Sequence, residues 1–129
     1  MEQIAQTMEQ NSDITSLNKE ARSDLKHYYQ TDDRNIDGYF FYKAASPMAV
    51  EEICIMRPLT IPRQILCLKM QNAHLSGQKQ VFEGYGTDQM ALLNNAVVGK
   101  KRKLCILYVR RRRTELAHCL SFHDISILL

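Results

Sequence analysis

The sequence contains no hydrophobic run long enough to cross a membrane. The longest run, from Leu104 to Val109, has six residues, whereas a membrane-spanning helix needs about 18 to 20. The N-terminal stretch "MEQIAQTMEQNSD" is acidic and polar, and it lacks the basic-then-apolar order of a secretory signal peptide. We therefore predict no membrane span and a cytoplasmic or nuclear protein in a reducing compartment.

Closely spaced cysteine pairs are also missing. The four cysteines are Cys54, Cys67, Cys105 and Cys119, and no two have the Cys-x-x-Cys spacing of zinc sites and redox motifs. Each stands inside an apolar run such as "ILCLK" or "LCILY". Thiols in such surroundings usually pack as small hydrophobic groups, so we predict free core cysteines. A disulfide or a metal site assembled only in three dimensions remains the alternative.

Two familiar ligand-binding patterns are incomplete. In "FEGYGTDQM", Gln89 stands where a dinucleotide-binding loop has its third glycine, and no Walker-type lysine follows. Asp88 would repel a phosphate at the helix start, so we interpret this stretch as a structural turn. The stretch "DDRNIDGYFFY", with Asp32, Asp33 and Asp37, lacks the final glutamate of a calcium loop. It is interpreted as a solvated turn.

Catalytic motifs are absent as well. The only concentration of reactive side chains is near the C-terminus, where His118, Cys119, His123 and Asp124 lie close in sequence. Their spacing matches no familiar zinc pattern, and adjacent residues do not establish a nucleophile and base. We predict a protein without catalytic residues, metal or cofactor. The remaining enzyme hypothesis uses Cys119 with His118 or His123.

What the chain does have is enough apolar material for one folded domain. It contains 129 residues, of which 45% are hydrophobic and 24% charged, an ordinary balance for a globular domain of common size. We predict a flexible N-terminus at residues 1–11 and a single α+β domain at residues 12–129. The sheet should be mostly antiparallel, with about five strands and two main helices packed on one face.

The hydrophobic pattern assigns these elements. Apolar residues at three- and four-residue intervals predict a helix over residues 12–29, capped by Asn11, Ser12 or Asp13. A second helix is predicted from an N-cap at Thr87 to a stop at Gly99. Strands are predicted at "YFFYKA", "EEICIMR", "RQILCLKM", "KQVFEGYG" and "KLCILYV", the last at the centre of the sheet. Residues 114–124 fit either a helix or a strand.

One part of this order resembles a double-stranded-RNA-binding domain. The likeness covers roughly residues 48–98 and rests on the turn "GYG" and on Ala91 and Ala96 in the helix that follows. In that family, paired lysines at the helix start touch phosphates, but here Asp88 and Gln89 occupy those positions. The resemblance therefore implies an order of elements and no phosphate contact at the helix start.

Charge is distributed unevenly along the chain. Residues 1–60 contain six Lys or Arg and ten Asp or Glu, whereas residues 61–129 contain eleven and four. Eight of the seventeen basic residues fall in "KKRKLCILYVRRRR", residues 100–113. Such asymmetry indicates an interacting face for an anionic partner, for another part of the same chain or for a second copy.

The basic segment is the main candidate for function. Phosphate contacts are predicted for eight residues, namely Lys100, Lys101, Arg102, Lys103, Arg110, Arg111, Arg112 and Arg113. Tyr85 and Tyr108 are possible stacking partners. Our leading hypothesis is a non-enzymatic module that contacts nucleic acid, RNA more readily than DNA.

Two alternatives to nucleic-acid contact remain open. One is a protein-interaction module such as an adaptor, chaperone or inhibitor, which binds an acidic protein surface or forms a homodimer through its acidic and basic halves. The other is that the charges only flank an aggregation-prone strand. If Lys100–Lys103 and Arg110–Arg113 share one face, a polyanion is favoured. If they lie at opposite rims, flanking charge or two separate partners are favoured.

Overall fold

A computed structural model of the chain describes residues 6, 9, 14, 16–110 and 126–127. Its strands pair antiparallel in the order β1-β2-β3-β5-β4-β6. The strands are β1 Leu17–Lys19, β2 Ile36–Ala44, β3 Glu52–Pro58, β4 Val97–Lys101, β5 Leu104–Val109 and β6 Ser126–Ile127. The helices are α1 Arg22–Tyr29, α2 Ile61–Phe82 and α3 Thr87–Asn94, with a short 3-10 turn at Asp33–Asn35. This arrangement confirms the predicted α+β class.

The middle of the sheet consists of β3 and β5, which pair with each other and have a further strand on their outer sides. All six residues of β5 are buried, as expected for a strand covered on both faces. In β3, Ile53 and Ile55 belong to one buried cluster and Cys54 and Met56 to the other. The prediction of a central "LCILYV" strand is therefore confirmed.

All three α-helices contribute to the core on one face of the sheet. Leu25 of α1, Leu68 of α2 and Leu93 of α3 are buried in the same cluster as Met56 and Leu107 of the sheet. The opposite face has its own cluster, which includes Phe40, Ile106 and Tyr108. The helices therefore pack against one face of the sheet, and the second cluster lies on the opposite face of β2, β3 and β5.

The first predicted helix begins too early. Residues Leu17–Lys19 form strand β1, which pairs with Tyr42–Ala44 at the end of β2, and α1 begins only at Arg22. The Asp24 carboxylate accepts a hydrogen bond of 2.9 Å from the Ala21 amide just before the helix. The pairing of β1 with a neighbouring strand thus overrides the helical spacing of the apolar residues.

Two predicted strands belong to one long helix. All of "RQILCLKM" and the first half of "KQVFEGYG" lie within α2, whose amino end is capped by Thr60 through a 3.3 Å hydrogen bond from the Arg63 amide. The buried face of α2 includes Gln64 and Gln71. Because two of its buried positions carry glutamine, the helical stripe does not stand out as hydrophobic in the sequence.

The second predicted helix ends too late. The helix α3 stops at Asn94, and Val97 already belongs to β4, paired with Tyr108. Gly99 therefore lies inside a strand and does not end a helix, and the N-cap is Gly86 instead of Thr87. With one long helix where strands were expected, residues 48–98 do not follow the order of a double-stranded-RNA-binding domain.

Some predictions fall on residues outside this description. These are the flexible N-terminus apart from the helical Gln6 and Glu9, the ambiguous segment 114–124 and the run Arg111–Arg113. Within the described ranges, no helix combines the length and the apolar character needed to cross a membrane.

Candidate binding surface

The first basic cluster forms the tip of the β4–β5 hairpin. The two strands are joined through Arg102 and Lys103, and Arg102 adopts a left-handed backbone with φ of 53°. Lys100, Arg102 and Lys103 are exposed, whereas Lys101 is half-buried. The tight turn therefore projects several cations from one end of the sheet.

The second basic cluster begins at the other end of β5. Arg110 follows the last residue of the strand, and its Nε donates a 3.2 Å hydrogen bond to Oε2 of Glu51. A six-residue strand spans about 20 Å, so Arg110 and Lys103 lie at opposite rims of the sheet. Among the described residues, the predicted phosphate contacts do not form one surface.

An apolar patch lies beside the hairpin tip, at the amino end of α2. Ile61 is 74% exposed and Ile65 51%, and Leu59 and Leu66 are also about half exposed. Ile61 and Ile65 are four residues apart, so they lie on the same stripe of the helix. Large aliphatic side chains concentrated in this way are more informative than scattered ones, because neighbouring exposed apolar groups often mark an interaction site.

The hairpin tip and the apolar patch are held together. The side-chain amide of Gln64 donates hydrogen bonds of 2.8 Å to the Arg102 carbonyl and 3.2 Å to the Leu104 carbonyl. A shallow cavity of about 250 Å³ lies between them, lined by Pro58, Leu59, Thr60, Ile61, Gln64 and Lys103. We call Leu59, Ile61, Ile65, Lys100, Arg102 and Lys103 the tip surface.

The elements that build the tip surface contain no acidic residue. No Asp or Glu occurs between Glu52 and Glu83, a stretch that includes all of α2, or between Asp88 and Glu115, which includes the whole hairpin. Helix α2 also carries Arg63, Lys69 and Lys79. The tip surface is therefore both apolar and positively charged.

The two predicted stacking residues do not lie on this surface. Tyr108 is buried in the sheet, with 1% of its surface exposed. Tyr85 is exposed, but it follows the carboxyl end of α2, which extends about 33 Å from its amino end at 1.5 Å per residue. The tip surface therefore offers aliphatic contacts and cations from its own elements, without either of these tyrosines.

Local contacts and backbone angles account for the two turns interpreted as structural, "DDRNIDGYFFY" and "FEGYGTDQM". Asp32 accepts a 2.9 Å hydrogen bond from the Arg34 amide and forms an ion pair with the Arg34 guanidinium. These contacts lower the pKa of Asp32 to about 2. Asp37 forms an ion pair of 2.9 Å with Arg57. In the "GYG" turn, Gly84 and Gly86 have positive φ angles, which glycine adopts without steric cost.

A buried polar cluster lies away from the tip surface, where β2, β3 and α2 meet. Oε1 of Glu52 accepts a hydrogen bond of 2.9 Å from Lys43 Nζ and lies 3.0 Å from His74 Nε2. Burial raises the pKa of Glu52, and burial also lowers the pKa of Lys43. The Glu52 Oε2 atom has no partner among the described residues. The sequence gives no sign of this cluster, because its members are distant along the chain.

The cysteines that can be described are free and buried, namely Cys54, Cys67 and Cys105. In the described part of the chain, no group of three or more His, Cys, Asp or Glu residues could hold a metal ion. The alternative enzyme residues His118, Cys119 and His123 lie outside that part.

Sequence reasoning found the cations of the tip surface but not its apolar half. The start of the helix is indicated in "LTIPRQIL", where a threonine is followed two residues later by a proline, an arrangement typical of a helix start. Placed on a helix with Gln64 inward, this stretch turns Ile61 and Ile65 outward. Because "RQILCLKM" was interpreted as a strand, the exposure of Ile61 and Ile65 was not predicted.

Comparison with curated proteins and with solved structures finds no match. A family comparison does match residues 10–110, which cover most of the chain and every described element except β6. The matched range includes the hairpin tip and ends at Arg110, before Arg111–Arg113. By this match the chain belongs to the family described as Domain of unknown function (DUF4358).

Proposed function

We infer that the protein is a non-enzymatic interaction module whose tip surface binds an acidic, amphipathic segment of another protein. The observation that carries this proposal is that one cavity is lined both by the exposed aliphatic residues Leu59 and Ile61 and by the exposed cation Lys103. An amphipathic helix with an acidic rim would bury the aliphatic groups and place its carboxylates near the lysines.

The distribution of charge favours a protein partner over nucleic acid. A nucleic-acid backbone is contacted mainly through cations and hydrogen-bond donors, and it would leave Ile61 and Ile65 in water. Phosphate contacts also gain from many cations on one surface, whereas Lys103 and Arg110 lie at opposite ends of β5. Arg110 already forms an ion pair with Glu51.

The proposal is tested by selecting binders from a displayed library of random peptides. We expect enriched peptides to combine acidic and large apolar residues, and to lose affinity at least about tenfold, roughly 1.4 kcal/mol, when Ile61 and Ile65 are changed to Gln. Changing Lys100, Arg102 and Lys103 to Gln should also weaken binding and reduce its dependence on salt.

The matched control is Val81→Gln, which changes an exposed aliphatic residue at the far end of the same helix. Peptides that bind all variants equally, or that lose affinity only with Val81→Gln, would refute the use of the tip surface.

Nucleic-acid binding remains the second candidate, supported by the exposed cations of the hairpin tip. Its test is binding to a generic RNA duplex across a salt series, with Lys100, Arg102 and Lys103 changed to Gln in one variant and Arg110–Arg113 in another. Affinity that falls steeply with salt and depends on these residues would support this candidate. Absence of binding at low salt would exclude it.

A further inference from the structure

A pair of thiols lies between α2 and β5. Cys67 on the helix and Cys105 on the strand belong to the same buried cluster. The Cys105 thiol donates to the Gln64 carbonyl at 3.3 Å. In an α-helix, the carbonyl of one residue points toward the turn that contains the residues three and four positions further on, so the Cys105 sulfur lies beside Cys67. The helical turn from Gln64 to Cys67 is therefore fastened to the strand beside Cys105.

One of the two thiols borders a surface cavity. A cavity of about 240 Å³ is lined by Gln30, Thr31, Asn35, Arg63, Leu66, Cys67 and Met70. Cys67 is 3% exposed, whereas Cys105 is 0% exposed and does not line this cavity. A small molecule in the cavity would therefore meet Cys67 before Cys105.

The pKa shifts of the two thiols, like their access to the cavity, favour Cys67 as the reactive group. The neighbouring Cys105 thiol lowers the pKa of the Cys67 thiol, and Thr31 contributes to that decrease. The Cys67 thiol in turn raises the pKa of Cys105. The thiolate is the nucleophile in disulfide exchange, so Cys67 is the better attacking group, with the Arg63 side chain lining the same cavity.

We propose that Cys67 and Cys105 are a redox-active thiol pair, which a small-molecule disulfide entering the cavity oxidises to an intramolecular disulfide. This modification site is independent of the proposed docking partner. It uses two cysteines for which the sequence predicts a place in the core, with a disulfide as the alternative.

The reaction proceeds in two exchanges. The Cys67 thiolate attacks one sulfur of the small disulfide, which forms a mixed disulfide and releases one small thiolate that takes up a proton. Cys105 then gives up its proton and attacks the Cys67 sulfur, which releases the second small thiol. The protein loses two hydrogen atoms, and the added disulfide is reduced to two thiols. Addition of excess thiol reverses both steps.

The test is oxidation of the full chain with bis(2-hydroxyethyl) disulfide, followed by peptide mapping without reduction. We expect a mass lower by about 2 Da and a cross-linked peptide that joins Cys67 to Cys105. Thiols that can be alkylated after unfolding should fall from the four of the sequence to two, and excess dithiothreitol should restore them all.

Three variants identify the roles of the sulfur atoms. Cys105→Ser should accumulate the mixed disulfide on Cys67, because the second exchange is blocked, and Cys67→Ser should form neither product. The matched control is Cys54→Ser, which replaces another buried free thiol of the same cluster and should leave the 67–105 bond unchanged. Circular dichroism checks that each variant is folded.

Wild-type mapping does not depend on how the variants fold. A chain that keeps four free thiols under oxidation, or a bond mapped to Cys54 or Cys119, would overturn the proposal. So would a Cys105→Ser protein that is folded but gains no adduct at Cys67.

Discussion

At the scale of single residues, Glu52 has the most demanding environment among the described acidic residues. Its side chain is 1% exposed and shares one oxygen between Lys43 and His74. Burial raises its pKa, because a carboxylate loses hydration when it enters the protein interior. The Lys43 ammonium also lies 4.6 Å from the ring centre of Tyr28. These contacts join the end of β2 and the start of β3 to α1 and α2.

Removal of the Glu52 carboxylate should therefore destabilise the fold. We expect Glu52→Ala to lower the free energy of unfolding by about 3 to 5 kcal/mol, because the buried Lys43 cation would lose its counter-ion. Replacing both partners, with Glu52→Leu and Lys43→Met, should recover much of that loss. Urea unfolding of the single and double variants measures both effects.

The control for this prediction is the exposed ion pair between Asp37 and Arg57, with a similar distance of 2.9 Å. Because both partners contact water, Asp37→Ala should cost less than about 1 kcal/mol. Equal losses for Glu52→Ala and Asp37→Ala would contradict the importance assigned to burial.

At the scale of elements, α2 has two faces with unusual composition. Its buried face includes Gln64 and Gln71, whose side-chain amides donate to carbonyls of the neighbouring hairpin and of β3. Its exposed face includes Ile61 and Ile65. Local hydrophobicity therefore gives the wrong element here, whereas Thr60 and Pro62 indicate the start of the helix. The sequence does not show which backbone carbonyls accept the hydrogen bonds of these glutamines, because the carbonyls belong to strands and turns that are distant along the chain.

The two faces of α2 should respond differently to truncation. Ile61→Ala and Ile65→Ala should each change the free energy of unfolding by less than about 0.5 kcal/mol, since both side chains already contact water. Leu68→Ala should lower it by about 2 to 5 kcal/mol, because Leu68 fills the core beneath the same helix. Chemical denaturation of the three variants provides the comparison. A large loss at Ile65 would show that this residue belongs to the core.

At the scale of the whole molecule, the sheet is most protected at its centre. The strands β3 and β5 have neighbours on both sides and are almost entirely buried. The short β1 has one partner among the described strands, and two of its three residues are exposed. Stability should therefore decrease from the centre of the sheet toward β1.

Native-state hydrogen exchange can check this gradient. We expect the amides of Ile53–Met56 and Cys105–Tyr108 that donate within the sheet to exchange only through global unfolding. Those of Leu17–Lys19 should exchange through local opening, at least about 100-fold faster, which corresponds to roughly 2.7 kcal/mol. The outcome that would contradict this arrangement is equal protection of β1 and β5.

The sequence by itself determined the α+β class, the central position of "LCILYV" and the alternation of Ile53, Cys54, Ile55 and Met56 between two faces. These features depend on strong local patterns and on burial, which hydrophobicity records directly. Only the tertiary structure decided that Lys103 and Arg110 lie at opposite rims, and that Glu52 meets Lys43 and His74. Such features depend on pairing between distant segments, and neither residue type nor spacing specifies which distant partner a side chain will meet.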